Sequence, residues 1–95
     1  MKITNNGALL RVAYELVNAE RQDDYGPPEA SLSRISAMWS AYLGHPVSAR
    51  DVALLLALLK IAREANRSKE DNLLDAAGYI GLASDMAAME EELCR

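Results

Sequence analysis

Two basic and two acidic residues lie close together in this chain, at a spacing that could bind an anion or a metal ion. Lys60 and Arg63 come just before a short polar stretch, and Asp71 and Asp75 follow it. Asp71 and Asp75 are four residues apart, so their carboxylates share one face of a helix. Two such carboxylates can hold Mg²⁺, which takes oxygen ligands and often bridges to phosphates. Lys60 and Arg63 could then neutralise those phosphates.

The same residues also have a purely structural interpretation. An acidic residue such as Asp71 suits the start of a helix, and basic residues suit a helix end, because each complements the helix dipole. Lys60 is flanked by apolar neighbours, so we expect it to be partly buried and to need a partner. Asp75 is the nearest candidate by register. Residue types alone favour this interpretation but leave the ligand site open.

A second charged cluster comprises Glu20, Arg21, Asp24 and Tyr25. Arg21 and Tyr25 could hold a phosphate and stack on a base. Alternatively, the cluster is a solvated loop in which Tyr25 packs against the fold. Residues 26–28 are Gly-Pro-Pro, which breaks any helix because proline lacks the N–H donor and restricts the residue before it.

Four helices must position these residues. Ala and Leu, the strongest helix formers, dominate a chain that contains no Phe. Apolar spacing predicts helices over residues 8–20, 29–44, 49–65 and 69–92. Short polar side chains that can cap their first turns precede three of them: Asn5 or Asn6, Ser48 with Asp51, and Ser68 with Asp71.

The last two helices are joined by only a few residues, 66–68, so we expect them to form an antiparallel hairpin. The first helix of this hairpin contains eight consecutive apolar residues, 52–59. A helix that is apolar all round is buried all round. Three other helices of so short a chain could hardly cover it, so we predict that part of it packs against another copy of the chain. Trp39 and Tyr42 are predicted to belong to the core.

Length and charge limit the classes of function. The 95 residues suffice for one all-α domain, residues 1–95, with a bundle-like arrangement of four helices. The net charge of −4 disfavours nucleic-acid binding, which depends on cations that neutralise phosphates. A single cysteine, Cys94, allows no internal disulfide, and no zinc-type spacing occurs. With no secretory leader and no apolar run near the ~20 residues of a membrane span, we expect a cytoplasmic protein.

Several motifs together resemble an uncharacterised family of small phage and prophage proteins. They are R-x-x-x-Y-G-P-P from Arg21, W-S-A-Y-L-G from Trp39, D-V-A-L-L-L-A-L-L-K-I-A-R from Asp51 and D-N-L-L-D-A-A-G-Y from Asp71. The resemblance covers roughly residues 15–83. If the chain is phage-encoded, the host cytoplasm is its expected location.

The second half is also similar, more distantly, to the all-α nucleoside triphosphate pyrophosphohydrolases, the MazG-like group. This similarity implies a helical bundle that oligomerises, as a dimer or tetramer, and binds nucleotides. In that group two pairs of acidic residues hold Mg²⁺ around a triphosphate. The second pair maps onto Asp71 and Asp75, whereas Lys60 and Arg63 stand where the first pair would be.

Three functional hypotheses follow. The first is a phage-type, MazG-like nucleotide-binding protein, with nucleoside triphosphate pyrophosphohydrolysis as its candidate activity. In it Asp71 and Asp75 hold Mg²⁺, Lys60, Arg63 and Arg21 hold phosphates, and Tyr25 also contacts the ligand. The second is a non-catalytic protein that sequesters a cyclic or modified nucleotide used as a defence signal. The third is a protein-interaction module without a small-molecule ligand.

Overall fold

A computed structural model describes residues 5–20 and 27–93, with side chains described for residues 5–18 and 27–87. Its four α-helices are α1 (Asn6–Glu15), α2 (Pro28–Leu43), α3 (Ala49–Asn66) and α4 (Glu70–Leu93), and a π-helical turn (Leu16–Glu20) continues α1. These described residues include no β-strand, which confirms the all-α prediction. Helices α3 and α4 form the central antiparallel hairpin, with α1 packed on α4 and α2 packed on α3.

The helix termini follow the capping rules at three places. The Asn5 side chain accepts a hydrogen bond from the Ala8 N–H at 2.9 Å and caps α1. The Ser48 hydroxyl accepts from the Asp51 N–H at 3.0 Å and caps α3, as predicted. Helix α2 ends at Gly44, whose φ of +76° is in the left-handed region that glycine adopts without steric cost.

The start of α4 differs from the prediction, because Ser68 does not cap it. The Ser68 hydroxyl instead donates a hydrogen bond to Oε2 of Glu64, at 2.8 Å. The other oxygen of Glu64 accepts from the Lys69 N–H at 2.9 Å and from the Asn72 side-chain amide at 3.3 Å. A carboxylate has more acceptor sites than a hydroxyl, so Glu64 bonds both sides of the turn at once. The α3–α4 turn is therefore held in place by a carboxylate that belongs to α3.

The predicted first helix also changes geometry before its end. The side-chain amide of Asn18 donates to the Tyr14 carbonyl at 2.8 Å, within the stretch where α1 becomes π-helical. Single π-helical turns of this kind are frequent at functional sites. Here the turn brings Val17 against α4, where a Cβ built on Gly78 would lie only 3.1 Å from Val17 Cγ2. Glycine thus lets the Val17 side chain pack closely against the backbone of α4.

The core lies between α2, α3 and α4, with Val52 fully buried at its centre. Trp39 packs against this core, as predicted. The prediction for Tyr42 is wrong, because Tyr42, in the last turn of α2, is 90% exposed. The apolar run of α3 is only partly covered, as its composition indicated. Three of its leucines remain about half exposed: Leu55, Leu58 and Leu59. None of the described helices is both long and apolar enough to cross a membrane.

Candidate functional site

The centre of the candidate site is an ion pair between the two helices of the hairpin. The Lys60 Nζ lies 3.1 Å from Asp75 Oδ2, and the two side chains are 19% and 13% exposed. The pairing predicted from register is therefore confirmed. Because both groups are largely removed from water, the attraction between them is screened less than that of a surface pair.

The structure does not bring the other two candidate residues into this pair. Arg63 and Asp71 are both exposed. Within the described part of the chain, no three or more Asp, Glu, His or Cys side chains come together as a metal site. Asp75 is bound to Lys60, so Asp71 and Asp75 alone do not supply the carboxylate set that holds Mg²⁺ for hydrolysis. Arg21 and Tyr25 lie outside the described residues.

A cavity of about 320 Å³ opens on one side of the ion pair. Its volume is at the lower end of the range typical of small-molecule sites. The described part of its wall is mostly apolar, with side chains from all four helices and from the π-helical turn. Asp75 is the charged residue among these described lining residues. The lining residues include Ala13, Leu16, Leu32, Ile35, Leu56 and Tyr79.

A basic groove of about 620 Å³ lies on the other side of the pair, at the α3–α4 turn. Three cations line it, Arg63, Arg67 and Lys69, together with Asn66 and Asn72. None of the three makes an ion pair with a described carboxylate. The nearby carboxylate of Glu64 accepts its hydrogen bonds from Ser68, the Lys69 N–H and Asn72 rather than from the side chains of these three cations.

The cavity, the ion pair and the groove follow each other along the hairpin. Leu56, Lys60 and Arg63 are spaced four and three residues apart, so they share one side of α3. Leu56 lines the cavity, Arg63 lines the groove, and Lys60 lies between them. On α4, Asn72 lines the groove and Asp75, three residues further on, lines the cavity. The nearest lining residues of the two compartments named here are thus seven residues, about 10 Å, apart on α3 and three residues, about 5 Å, apart on α4.

Glu64 fixes the geometry of the groove. Its hydrogen bonds to the Lys69 backbone N–H and to the Ser68 hydroxyl lower the pKa of its carboxyl below the ordinary value of 4.5, because both donors favour the charged form. The buried side chain of Asn72 links Glu64 to the Arg67 carbonyl, which it reaches at 3.4 Å. The turn that carries Arg67 and Lys69 is therefore held by hydrogen bonds on both sides.

Sequence reasoning missed the part played by Glu64, Arg67 and Lys69. The S-x-x-D pattern at Ser68 resembled a cap closely enough to hide the competing carboxylate four residues upstream. The spacing of Arg63 and Arg67, four residues apart near a helix end, was an available signal for a cationic face. That Lys69 lies beside this face depends on the path of the turn, which local spacing does not give.

Comparisons with known proteins identify relatives among phages. The family described as a domain of unknown function, DUF6378, matches residues 8–87. The Gene 55 protein of Mycobacterium phage L5 is 38% identical over 87 residues, covering 90% of this chain and 56% of that protein. The Gene 55 protein of Mycobacterium phage D29 is 37% identical over 75 residues, covering 78% of this chain and 50% of that protein.

This chain thus spans about half the length of these curated relatives. No solved structure matches it. The predicted resemblance to a family of small phage proteins is confirmed, and the matched range includes all of α3 and residues 70–87 of α4. The chain belongs to the DUF6378 family of phage proteins, a domain family of unknown function.

Proposed function

We propose that this protein binds a small phosphorylated ligand of the nucleotide class without needing to hydrolyse it. The observation that carries the proposal is the placement of an apolar cavity and a cationic groove next to each other along the hairpin, within one to two helical turns. A nucleotide has the matching form, since a flat base with apolar faces is joined to charged phosphates. Its base would occupy the cavity and its phosphates the groove.

The charges of the groove support the phosphate end of this assignment. Arg63 and Arg67 present planar donor groups that suit phosphate oxygens, and Lys69 adds a third positive charge. The whole chain carries a net charge of −4, so such a local excess of cations is not a general property of its surface. A groove confined to one turn suits a small anion better than an extended nucleic-acid backbone.

Hydrolysis of a nucleoside triphosphate is the second candidate function. This candidate rests on the resemblance of the second half of the sequence to the MazG-like pyrophosphohydrolases, and the matched family and relatives carry no such description. In this form of the proposal, Mg²⁺ would arrive with the triphosphate and Asp71 would be its exposed protein ligand. The pairing of Asp75 with Lys60 is the reason to place binding first.

The binding proposal is tested by titration calorimetry with nucleoside mono-, di- and triphosphates, cyclic di- and trinucleotides and cyclic ADP-ribose isomers, each with Mg²⁺ and with EDTA. We expect at least one of these ligands to bind and to be recovered unaltered. The double variant Arg63→Gln/Arg67→Gln should weaken binding about tenfold or more, because charge-assisted hydrogen bonds are lost.

Arg50→Gln is the matched control, since Arg50 is an exposed arginine at the opposite end of α3, about 20 Å away along the axis. It should leave the affinity unchanged. If no nucleotide binds, or if both variants weaken binding equally, the proposal fails. Release of pyrophosphate from a triphosphate with Mg²⁺ would instead establish the enzymatic alternative.

A module that acts only through protein contacts is the remaining alternative. The exposed leucines of α3, Leu55, Leu58 and Leu59, form an apolar stripe and favour contact with a second copy of the chain. Under two-fold symmetry this stripe would pack against the same stripe of the other copy, and no like charges would face each other. We propose such a homo-oligomer alongside ligand binding, because the stripe and the candidate site use different residues of α3.

A further inference from the structure

The polar atoms of the cavity wall are few, and this narrows the base that the cavity could accept. Of the residues that line it, Ser31, Asp75 and Tyr79 have polar side-chain atoms. Ser31 belongs to α2, whereas Asp75 and Tyr79 belong to α4, so polar groups reach the cavity from two helices. The side chains of the other described lining residues are apolar and give no hydrogen bonds that could distinguish one base from another.

Asp75 is the most selective of the three. A carboxylate only accepts hydrogen bonds, and its two oxygens together offer about four acceptor sites. It can therefore accept from Lys60, as it does here at 3.1 Å, and also accept from a ligand. Its charge is balanced by Lys60, so the ligand group that meets it can be neutral.

Among the common bases, guanine alone presents two adjacent hydrogen-bond donors on one edge, the N1–H and the N2 amino group. Adenine and cytosine place an acceptor next to their amino group, and uracil and thymine place a single N–H between two carbonyls. An acceptor held against a carboxylate is left without a partner, which costs binding free energy. The hydroxyls of Ser31 and Tyr79 can donate, which suits the O6 and N7 acceptors of guanine.

We infer that the cavity is a guanine-recognition site in which Asp75 accepts from the N1–H and N2 amino groups. This inference rests on the proposed nucleotide binding and specifies its base. Because a bidentate contact of this kind discriminates by about 1–3 kcal/mol, we expect a guanine nucleotide to bind about 10- to 100-fold more tightly than its adenine counterpart.

The test compares GTP, ITP, XTP and ATP by calorimetry, so that the triphosphate stays constant and only the base changes. GTP should bind most tightly, and ITP, which lacks the N2 amino group, should bind about tenfold more weakly. Asp75→Asn replaces one acceptor oxygen by an NH₂ donor, so this variant should lose affinity for GTP and gain affinity for XTP, whose C2 carries a carbonyl.

Asp85→Asn is the matched control, because Asp85 is an exposed residue of the same helix that does not line the cavity. It should leave the order of affinities unchanged. If Asp75→Asn does not fold because Lys60 loses its partner, the double variant Lys60→Met/Asp75→Asn removes the unpaired charge and is titrated in its place.

The outcomes separate this inference from the function on which it rests. Equal affinities for GTP, ITP and ATP, each weakened by Arg63→Gln/Arg67→Gln, would overturn guanine recognition and leave nucleotide binding intact. No binding of any of the four would overturn both. A preference for GTP that Asp75→Asn fails to alter would also overturn the assignment to Asp75.

Discussion

The Lys60 ammonium lies 3.1 Å from the Asp75 carboxylate and joins the two helices of the hairpin near its turn. The same pair separates the apolar cavity from the cationic groove, since Asp75 lines the first and Arg63, one turn from Lys60, lines the second. It therefore has two consequences, one for stability and one for ligand binding, which experiments can distinguish.

Removal of the Lys60 side chain should destabilise the fold. Lys60→Ala leaves Asp75 largely buried without its cation, so we expect the free energy of unfolding to fall by about 1–3 kcal/mol. That range lies between the roughly 0–1 kcal/mol of an exposed pair and the 3–5 kcal/mol of a fully buried one. Chemical denaturation measures the change. Lys60→Ala/Asp75→Ala should lose less than the sum of the two single variants, and strict additivity would contradict the coupling.

Stability should decrease in acid through Glu64. Hydrogen bonds lower the pKa of this carboxyl in the folded chain, so the unfolded chain binds its proton more tightly. The stabilisation is then fully present above the ordinary pKa of 4.5 and is lost as the pH falls through the lower folded value. Denaturation of the wild type and of Glu64→Gln between about pH 3 and pH 7 tests this. The stability difference should shrink towards acid, and a constant difference would argue against it.

The two S-x-x-D patterns should respond differently to the loss of their serine. Ser48→Ala removes the hydrogen bond that caps α3 and should cost about 1 kcal/mol. Ser68→Ala removes only an exposed bond to Glu64 and should change stability by less than about 0.5 kcal/mol. Thermal unfolding of both variants gives the comparison. Equal losses would mean that Ser68 caps α4 after all.

Substitution by alanine should change stability differently at two glycines of α4. Gly81 is exposed, with nothing within 4 Å of an added Cβ, so Gly81→Ala should stabilise the helix by about 0.5–1 kcal/mol. An added Cβ at Gly78 would crowd Val17 at 3.1 Å, so Gly78→Ala should be less stable than Gly81→Ala by about 1 kcal/mol or more. Denaturation curves of the two variants would show this order. An equal gain in stability would contradict it, because it would mean that the π-helical turn moves away from the added Cβ at no cost.

Self-association should depend on the exposed stripe of α3. Light scattering after gel filtration should show an assembly larger than a monomer for the wild type, and a monomer for Leu58→Glu, because a buried carboxylate would lack a partner in the contact. Leu58 is 58% exposed, and Leu10 on α1 is 60% exposed, so Leu10→Glu is a matched control. A monomeric wild type, or an equal effect of both variants, would contradict the proposed contact.

The helices were predictable because their signals are local. The predicted helix over residues 49–65 corresponds to Ala49–Asn66, and the helix over residues 29–44 corresponds to Pro28–Leu43. Ser48, Gly44 and the proline pair act within a few residues of where they stand, through single hydrogen bonds and fixed backbone angles. The start of α4 was predicted less well, since Glu64 reaches across the turn and displaces the expected cap.

The sequence by itself determined the helical hairpin, the pairing of Lys60 with Asp75 and the incomplete cover of α3, because spacing along two short-linked helices fixes which residues face each other. Only the tertiary structure decided that Arg63 is separate from this pair and lies with Arg67 and Lys69 instead. It also placed an apolar cavity against Asp75, since that cavity needs α1, the π-helical turn and α2 to pack on the hairpin together. Packing of this kind depends on contacts between distant residues, which spacing within one helix does not specify.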